Sequence, residues 1–581
     1  MPTSEILEKF RTPVSPAMTY EIKEMIQKHI VEPAPTTPSF LSPLFLIKKN
    51  SKKSRVIFNL KALNRYMMPR HFHLFRYQQM PEFLQPADWM VKLDLSQAYY
   101  HIPIKQEHRR FLRISYNGFL LQMTCLPFGL ASAPRMFATV TNWTAEMLRM
   151  KGLRLVVYLD DYLIVHQCKT TLRTQVMMAI KFLTSLGWCL NTEKSVTTPR
   201  RTVEFLGIHW DTDTNTASLP PEKVSRIRHH LLSLLAAGSW TLKQAQRLLG
   251  CLNFATFITH RGRLHCRTLQ RHCNLLRKEP LETTRFSEEV SIELEWWLEN
   301  INQQRPIHPV VKPVNYLITD ASDIQWGAVV NNKNIHGVWS PHQRRWHCNL
   351  KEMYAVIAAI TAQGSVLRKS SVIVQSDNKT VVSYVKNEGG TKSLPLLELT
   401  KQLLALVDDL DVVLVPHYLP GIYNVEADGL SRNRTASEWH LKQVEYQRIF
   451  SLWGTPEIDL FASKHAYVVP NYVTRDFSDS NACYHDAFSK SWTYHLAWIF
   501  PPPGLIPRVL RHLNKAEGRY IIIAPRWTKP FWRPDLKRRA LKRPTKIRNL
   551  ERNLVDTFTG RPPTRVSSLH LEAWLISGGT H

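Results

Sequence analysis

Two apolar runs joined by a pair of acidic residues stand out in the pattern of hydrophobic and polar positions. Residues 153–165 are apolar except for Arg154 and the adjacent Asp160 and Asp161. Runs of this length and composition predict two buried β-strands. Two carboxylates at the tip of such a hairpin cost stability unless a cation compensates them, and hard divalent cations prefer carboxylate oxygens. The pattern therefore predicts metal-dependent phosphoryl chemistry at this hairpin.

Periodicity and proline positions organise the rest of the chain. Helices are predicted, from the N-terminus, over 19–30, 133–149, 170–186 and most of 221–305. A boundary is marked by Pro306, Pro309 and Pro313, after which 314–435 return to strands mixed with helices. Residues 533–565 are so basic and so often interrupted by proline that partial disorder is expected.

The chain is strongly basic. Its 581 residues contain 76 Lys and Arg against 47 Asp and Glu, which gives a formal net charge of +29. This excess favours a polyanionic partner, with nucleic acid as the first candidate, although a merely basic soluble protein would show the same excess. The length is enough for about three or four domains. A hydrophobic content of 44% supports sizeable cores.

Cysteine usage and hydropathy bear on location. The cysteines are scattered singly without a CxxC pair, which argues against a disulfide framework and a zinc ribbon. No segment has the apolar length of a membrane span, and the N-terminus lacks the apolar core of a signal peptide. We therefore expect an intracellular protein without membrane association, in the cytoplasm, the nucleus or both.

A third carboxylate lies upstream of the hairpin. Asp94 interrupts an apolar strand that starts near Val91, and a short helical turn follows it. Two-metal phosphoryl transfer needs carboxylates that converge from separate strands, with metals about 3.5–4 Å apart. Alone, Asp94 would be an ordinary surface or capping residue. Together with Asp160 and Asp161 it becomes the favoured third ligand.

Seven sequence blocks surround these acids in a characteristic order. They are 42–49 (SPLFLIKK), 55–64 (RVIFNLKALN), 92–96 (KLDLS), 126–134 (LPFGLASAP), 158–161 (YLDD), 191–195 (NTEKS) and 204–207 (EFLG). In content and order they resemble the reverse transcriptases of retroelements. The resemblance implies a right-hand polymerase with fingers, palm and a helical thumb. It also implies that Asp94, Asp160 and Asp161 form the polymerase metal site, with Asp94 and Asp160 as the direct ligands.

The resemblance also implies contacts with the incoming dNTP. Arg55 matches the guanidinium that covers the triphosphate, and Lys48 or Lys49 matches its partner at the fingertip. The choice between the two lysines stays open, and both could be solvated surface charges. Tyr99 matches the steric gate that excludes a ribose 2′-OH, with a core aromatic as the alternative.

Two further blocks match the polymerase pattern. Phe128 and Gly129 match the loop beside the nucleotide and template, and Phe205, Leu206 and Gly207 match the hairpin that positions the primer end. The helices of 221–280 take the place of the thumb, where basic side chains could follow a duplex backbone.

A second acidic set follows the polymerase-like segment. Asp320 ends one apolar strand, Glu352 lies on an amphipathic helix, Asp377 ends another strand and Asp428 begins a late helix. Four acids in this order resemble ribonuclease H, which implies carboxylates around two Mg²⁺ ions acting on an RNA phosphodiester. Many ribonucleases H carry a mobile His before the last Asp. His417 could serve that role or could pack the strand end.

The blocks 128–134 (FGLASAP), 159–161 (LDD) and 427–432 (ADGLSR) are most similar to DIRS-type retrotransposon polyproteins. In that group the segment after ribonuclease H is sometimes described as methyltransferase-like. Here Phe500-Pro501-Pro502-Pro503 lacks the polar first residue of a methyltransferase motif, and no Gly-rich turn precedes it. We therefore expect the C-terminal segment to be structural or nucleic-acid-binding. With no recombinase segment visible, integration would need a recombinase from another polypeptide of the element or a lost C-terminal part.

The predicted fold is multidomain α+β and α/β: a right-hand polymerase, a ribonuclease H-like mixed-sheet domain and a small C-terminal α/β module. The predicted segments are a helical lead-in (1–36), fingers and palm (37–215), a helical thumb or connection (216–312), a ribonuclease H-like domain (313–435), a C-terminal module (436–545) and a basic tail (546–581).

The expected function is RNA-directed DNA polymerisation with ribonuclease H activity, which would replicate a retrotransposon. The expected cofactors are Mg²⁺ or Mn²⁺, two ions per active site, and the expected partners are an RNA template, a DNA primer, their hybrid and dNTPs. The rival is a catalytically inactive or domesticated nucleic-acid scaffold. An RNA-templated RNA polymerase is disfavoured by Tyr99 and by the second acidic set.

Overall fold

The computed structural model describes residues 14–50, 53–278, 283–434, 437–527 and 529–580, without the side chains of 48–50, 53–55 and 98. The chain folds into two compact units. The first comprises residues up to Ala237 together with Gly250–Gly262 and Leu294–Pro309. The second comprises Gly238–Leu249, Arg263–Glu293 and the residues from Val310 onward.

Up to Pro309 the described helices are α1 (Pro16–Gln27), α2 (Lys61–Asn64), α3 (Met80–Phe83), α4 (Gln106–Arg109), α5 (Ala133–Met150), α6 (Lys169–Ser185), α7 (Pro221–Ala237), α8 (Leu242–Ala255), α9 (Arg267–Lys278) and α10 (Glu288–Asn300). The strands are β1 (Val31–Pro33), β2 (Leu44–Asn50), β3 (Lys53–Phe58), β4 (Trp89–Asp94), β5 (Arg113–Tyr116), β6 (Phe119–Met123), β7 (Arg154–Tyr158), β8 (Asp161–His166), β9 (Val196–Arg200), β10 (Thr202–Phe205), β11 (Ile208–Asp211), β12 (Thr216–Ser218), β13 (Ser239–Trp240), β14 (Thr284–Arg285) and β15 (Gln304–Pro306).

From Val310 onward the described helices are α11 (Cys348–Ala362), α12 (Gly364–Leu367), α13 (Lys379–Lys386), α14 (Leu394–Asp409), α15 (Val425–Ser431), α16 (Gln443–Trp453), α17 (Ile506–Leu513), α18 (Arg533–Arg539) and α19 (Leu550–Asn553). The strands are β16 (Val314–Ala321), β17 (Gln325–Val330), β18 (Lys333–Val338), β19 (Ser371–Ser376), β20 (Val413–Tyr418), β21 (Trp439–Leu441), β22 (Ile458–Asp459), β23 (Val473–Thr474), β24 (Tyr484–His485), β25 (Thr493–Ile499), β26 (Glu517–Pro525), β27 (Thr545–Lys546), β28 (Leu554–Asp556) and β29 (Leu571–Ser577).

An antiparallel sheet of strand order β7-β8-β4-β9 carries the predicted Asp-Asp hairpin. Helices α5 and α6 pack against this sheet and differ by one residue from the predicted ranges 133–149 and 170–186. The shared core consists of strand residues Val91, Leu93, Leu155 and Ile164 and helix residues Phe137, Leu148, Leu172 and Leu183. This apolar packing holds the carboxylate-bearing ends of β4 and β8 in place.

Helix α1 belongs to a second core of the first unit. Its N-terminus is capped by Ser15, whose Oγ accepts a hydrogen bond from the amide of Met18 (3.2 Å). One face of the helix is buried against the sheet β1-β6-β5, through Met18, Ile22 and Met25. The helical lead-in predicted over 1–36 therefore shares its core with the strands that follow.

The predicted thumb over 216–312 also needs correction. Residues of β12 pair with β11, and β15 pairs with β12, so both ends of this range complete the sheet β10-β11-β12-β15. Helices α7 to α10 confirm the predicted helical content. However, the two compact units divide the range between them, because Gly238–Leu249 and Arg263–Glu293 belong to the second unit.

A five-stranded mixed sheet of order β18-β17-β16-β19-β20 spans the predicted ribonuclease H-like region. Strands β16, β17 and β18 are antiparallel, whereas β16, β19 and β20 are parallel. One buried cluster joins this sheet to helices α11, α13 and α14, through residues such as Leu317, Val374, Val356, Val381 and Leu403.

The C-terminal module is built on a second five-stranded sheet, of order β22-β25-β26-β29-β27. Its first three strands are parallel, and β29 runs antiparallel to β26. Because β29 lies inside this sheet, the predicted basic tail 546–581 is wrong, and the module extends to residues 571–577. The expected partial disorder of 533–565 is replaced there by α18, α19, β27 and β28.

The ribonuclease H-like sheet and the C-terminal sheet share one hydrophobic core. Ile318, Val329 and Leu419 pack in the same buried cluster as Trp498 and Ile521 of the module. A hydrogen bond from Gln375 Nε2 to the carbonyl of Gly504 (2.7 Å) crosses the same interface. The boundary predicted at residue 435 thus separates two sheets that share one buried cluster.

Candidate catalytic sites

Three carboxylates meet at one end of the sheet β7-β8-β4-β9. Asp94 is the last residue of β4 and is the register partner of Asp161, the first residue of β8. Asp160 lies in the turn between β7 and β8, and its carbonyl accepts a hydrogen bond from the amide of Leu95 (2.9 Å). Leu159 closes this tight turn with a positive φ of 52°. The structure therefore brings the three predicted polymerase acids together.

The charges of these acids are only partly compensated by lysines. Lys92 Nζ lies 3.0 Å from Asp161 Oδ1, and Lys194 Nζ lies 3.9 Å from Asp94 Oδ1. Burial raises the pKa of both Asp160 and Asp161, and repulsion from Asp94 adds to the rise. A divalent cation would relieve this repulsion, so the donor set fits such an ion.

The segment 191–195 buttresses Asp94, a role that its sequence did not reveal. The amide of Asn191 donates to the carbonyl of Asp94 (2.8 Å). The amide of Asp94 donates to Ser195 Oγ (3.0 Å). Together with Lys194, these contacts explain why this short block accompanies the carboxylates.

Tyr99 lies five residues beyond Asp94, in a short 3₁₀ turn over Ala98–His101. Its ring packs against Phe128 (4.8 Å between centroids) and edge-on against Phe137 (5.2 Å). The ring is therefore held next to the loop of Phe128 and Gly129. A ring fixed in this way could present an edge to a nucleotide sugar, and it also contributes to the core.

The Phe128–Gly129 loop is held by an asparagine that sequence reasoning did not single out. Asn64 Nδ2 donates to the carbonyl of Gly129 (2.9 Å), and Asn64 Oδ1 accepts from the amide of Ala131 (2.9 Å). Gly129 has φ +96°, and a Cβ there would lie 3.3 Å from the carbonyl oxygen of Phe58. Glycine at 129 follows from both constraints.

The predicted triphosphate contacts fall on the hairpin β2–β3. Strand pairing places Ile47 opposite Arg55 and Lys48 opposite Ser54. The side chains of Lys48, Lys49 and Arg55 lie outside the described residues, so these assignments stay predictions.

Phe205, Leu206 and Gly207 form the hairpin turn between β10 and β11. Leu206 and Gly207 have φ values of 53° and 72°, which is typical of a two-residue type I′ turn. Phe205 is buried, and the turn carbonyl of Gly207 accepts a hydrogen bond from Lys223 Nζ (2.8 Å). Lys223, which no sequence signal identified, also lies over the ring of Phe254 at 4.5 Å.

A second carboxylate cluster is formed by three of the four acids predicted for the nuclease site. Asp320 on β16, Glu352 on α11 and Asp377 after β19 each place a carboxylate oxygen within 4.8 Å of the others. Asp428 on α15, the fourth predicted acid, is not part of this group of three, and its Oδ1 pairs with Arg432 Nε at 2.7 Å. The mixed sheet thus assembles the acids from three separate elements into one cluster.

The electrostatics of this cluster indicate a missing positive charge. Burial, together with repulsion from Asp320 and Asp377, raises the pKa of Glu352 to about 9. Burial also raises the pKa of Asp320 to about 6, although Ser431 Oγ donates a hydrogen bond to its Oδ2. Among the described residues, Glu352 Oε2 is buried without a hydrogen-bond partner. An unpaired buried oxygen inside a cluster of acids fits a bound divalent cation.

His417 is the penultimate residue of β20, and its side chain is packed against a neighbouring ring. Its ring stacks on that of Phe531, with centroids 3.5 Å apart and planes 10° apart. Burial and the nearby Lys386 lower the pKa of His417 to about 4. This geometry matches the packing alternative raised by the sequence.

Two family models match the chain. Residues 47–210 match "Reverse transcriptase (RNA-dependent DNA polymerase)" and residues 312–405 match "RNase H-like domain found in reverse transcriptase". The chain is therefore similar to reverse transcriptases over 47–210 and to their ribonuclease H-like domains over 312–405, and the predicted multidomain fold class is confirmed. Within the described part of the chain, no helix combines the length and apolar character needed to cross a membrane.

The chain is similar to viral polyproteins. It is 23% identical over 439 residues to the "Enzymatic polyprotein" of Figwort mosaic virus (strain DxS), which covers 72% of this chain and 61% of that protein. The corresponding protein of Cauliflower mosaic virus (strain CM-1841) is 23% identical over 389 residues, 63% of this chain and 54% of that protein. The chain thus spans less than two thirds of these curated relatives.

Among solved structures, the foamy viral protease-reverse transcriptase in complex with double-stranded DNA is similar over 70% of each chain. The TM-score is 0.47 and the sequence identity is 16%.

Proposed function

We propose that this protein is an RNA-directed DNA polymerase with ribonuclease H activity. The observation that carries the proposal is the presence of two sets of carboxylates, each in the segment whose family model matches it. Asp94, Asp160 and Asp161 meet at a sheet end inside the reverse transcriptase domain. Asp320, Glu352 and Asp377 converge within 4.8 Å inside the ribonuclease H-like domain.

In the polymerase site, Asp94 and Asp160 would hold two Mg²⁺ or Mn²⁺ ions, with Asp161 beside them. In the nuclease site, Asp320, Glu352, Asp377 and Asp428 would hold two such ions. When bound, these cations lower the pKa of the attacking hydroxyl or water and neutralise charge on the reacting phosphate.

The residues around the polymerase carboxylates would orient the substrates. Arg55 with Lys48 or Lys49 would bind the dNTP triphosphate, and Tyr99 would lie under the sugar. Phe128 and Gly129 would line the nucleotide and template side. The turn Phe205–Gly207, tied to Lys223, would place the primer 3′ end.

The partners of this proposal are an RNA template, a DNA primer, the hybrid that copying produces, and dNTPs. The net charge of +29 supports a polyanionic partner. The blocks 128–134, 159–161 and 427–432 further support an element of DIRS type, which would depend on a separate recombinase for integration.

Two single substitutions test the proposal by separating the activities. Asp160→Asn should reduce primer extension on RNA about 10²-fold or more and leave hybrid cleavage intact. Asp320→Asn should do the reverse. The matched control is Asp213→Asn, an exposed carboxylate paired with Arg201 outside both clusters.

Metal-dependent incorporation that Asp160→Asn leaves unchanged would refute the polymerase assignment. A protein that binds hybrid but shows neither activity at any Mg²⁺ or Mn²⁺ concentration would instead be the inactive scaffold.

A further inference from the structure

The segment 417–431 connects the last strand of the ribonuclease H-like sheet to the helix that bears Asp428. On its way it passes next to Asp377: a Cβ on Gly421 would lie 2.7 Å from Asp377 Oδ2. The path of this segment therefore determines the surroundings of two of the four nuclease carboxylates.

The first half of the segment is held by aromatic residues of the C-terminal module. The ring of His417 stacks on Phe531 at 3.5 Å. The ring of Tyr423 stacks on Trp527, with centroids 5.1 Å apart and planes 28° apart. Tyr423 Oη also donates to the carbonyl of His570 (3.4 Å) and accepts from its amide (3.2 Å). Flat stacking of this kind restricts where a loop can lie.

The second half, helix α15, contacts the module through charge and packing. Glu426 Oε1 pairs with Arg475 Nη1 at 2.5 Å. Ala427 is fully buried in the cluster that also contains Trp498 and Ile521, and Leu430 packs against the same cluster. The helix that carries Asp428 thus has one side on the module.

The ribonuclease H-like domain itself holds both ends of the segment. At its start, His417 pairs with Gln375 of β19, and the amide of Leu419 donates to the carbonyl of Ser376 (3.0 Å). Ser322 Oγ donates to the carbonyl of Ser431 (2.6 Å), and Gln325 Nε2 donates to that of Leu430 (2.6 Å). Asn424 Nδ2 donates to the carbonyl of Thr319 (3.0 Å). The side chains of His417 and Tyr423 stack instead on the module.

We propose that the C-terminal module positions the segment 417–431 for hybrid cleavage, with Phe531 and Trp527 as positioning residues. This inference rests on the proposed nuclease function. It gives a role to a module whose sequence carries no catalytic motif. Residues that orient metal-binding groups from outside typically change activity about 10–100-fold when removed.

The kinetic test uses the full-length protein and a labelled RNA–DNA hybrid. Phe531→Ala and Trp527→Ala should each lower the kcat of cleavage about tenfold or more with little change in KM, and primer extension should be unaffected. Phe531→Tyr retains a flat ring and should restore kcat. The matched control is Phe558→Ala, an aromatic of the same module that is 72% exposed.

The second readout does not depend on activity. Amide hydrogen exchange of 417–424 in the metal-free protein should be faster in Phe531→Ala than in the wild-type protein and unchanged in Phe558→Ala.

Unchanged exchange together with unchanged kcat would overturn the proposal. A higher KM with unchanged kcat and exchange would also overturn it, and would mean that the aromatics touch the hybrid. A wild-type protein without cleavage would refute the proposed nuclease function, while the exchange data would still decide the positioning role.

Discussion

At the scale of single residues, the nuclease carboxylates are in electrostatic conflict, because three acids of like charge lie close together. Glu352 is 6% exposed and carries an unpaired oxygen, and repulsion from Asp320 and Asp377 adds to the cost of its ionisation. Packing alone would not select a glutamate at such a position. We therefore interpret this repulsion as the energetic cost of keeping a site that binds a cation.

This conflict predicts that Glu352→Gln stabilises the metal-free protein at high pH. The folded-state pKa of Glu352 is raised from 4.5 to about 9, so its contribution to stability is full below about pH 4.5 and is lost as the pH rises towards 9. At pH 8 without divalent cations, thermal unfolding of the variant should occur several degrees above that of wild type, since about 1 kcal/mol shifts the midpoint by about 2–4 °C.

The rise in the unfolding midpoint of Glu352→Gln should be smaller at pH 5 and when Mg²⁺ is added, because protonation or a cation relieves the same repulsion in the wild-type protein. Glu398→Gln, at a half-exposed glutamate paired with Lys401, provides the control and should change the midpoint little. An equal gain at pH 5 and pH 8 would contradict the predicted ionisation.

Tyr99 carries the second residue-scale prediction. If its ring lies under the sugar, Tyr99→Ala should reduce discrimination against ribonucleotides by about tenfold or more, which corresponds to about 1.4 kcal/mol. Tyr99→Phe keeps the ring against Phe128 and Phe137 and should keep the selectivity. Single-nucleotide incorporation of dNTPs and NTPs measures the ratio. Unchanged selectivity in Tyr99→Ala would leave the ring with its packing role only.

At the scale of elements, the sequence was most informative where local pattern and tertiary structure agree. The apolar runs that predicted the hairpin around Asp160 are a strong signal, and so is the periodicity that predicted the helices now seen as α5 and α6, because these elements bury their apolar residues in one core. The resemblance to ribonuclease H predicted that four acids would meet, and three of them, Asp320, Glu352 and Asp377, do so, whereas Asp428 is not in that group. Contacts between distant side chains, such as Asn64 with the Gly129 loop, leave no periodic signal.

The hairpin turn at Leu206 and Gly207 supports an element-scale prediction. Gly207→Ala places a Cβ 2.1 Å from Lys223 Nζ, so the lysine must move and lose its hydrogen bond to the turn. Gly118→Ala is the matched control, because Gly118 has a similar φ of +80° but open space around the added Cβ.

Both variants should lose about 1 kcal/mol of unfolding free energy from the left-handed backbone, measured by denaturant titration. Only Gly207→Ala should raise the KM for the primer–template. An equal rise in both variants would show that the Lys223 contact does not position the primer.

At the scale of the whole molecule, domain boundaries were the least predictable feature. A change to Trp-, Pro- and Arg-rich composition suggested a domain end at 435, and a basic stretch suggested another at 545. The extent of a core is instead set by which side chains are buried together. The apolar strand Leu571–Ser577 lies in the C-terminal sheet. Because it follows a long basic stretch, the composition predicted a tail there and not a strand. Likewise, Ile318 and Val329 belong to the cluster shared with the C-terminal sheet, and the sequence of their own strands does not identify that second sheet as their packing partner.

Net charge is the property of the whole chain with the most direct consequence. With a charge of +29, binding of an RNA–DNA hybrid should release many counterions. We expect the affinity, measured by fluorescence anisotropy with a catalytically inactive Asp320→Asn protein, to fall about 10³-fold or more between about 50 and 200 mM salt.

Lys379, which lies 4.9 Å over the ring of Tyr418 and two residues after Asp377, should contribute one phosphate contact. Lys379→Gln should therefore reduce the salt slope by about one, whereas Lys28→Gln should not, because Lys28 already pairs with Glu24 at 3.0 Å. A slope near zero would mean that the positive charge serves something other than the nucleic-acid backbone.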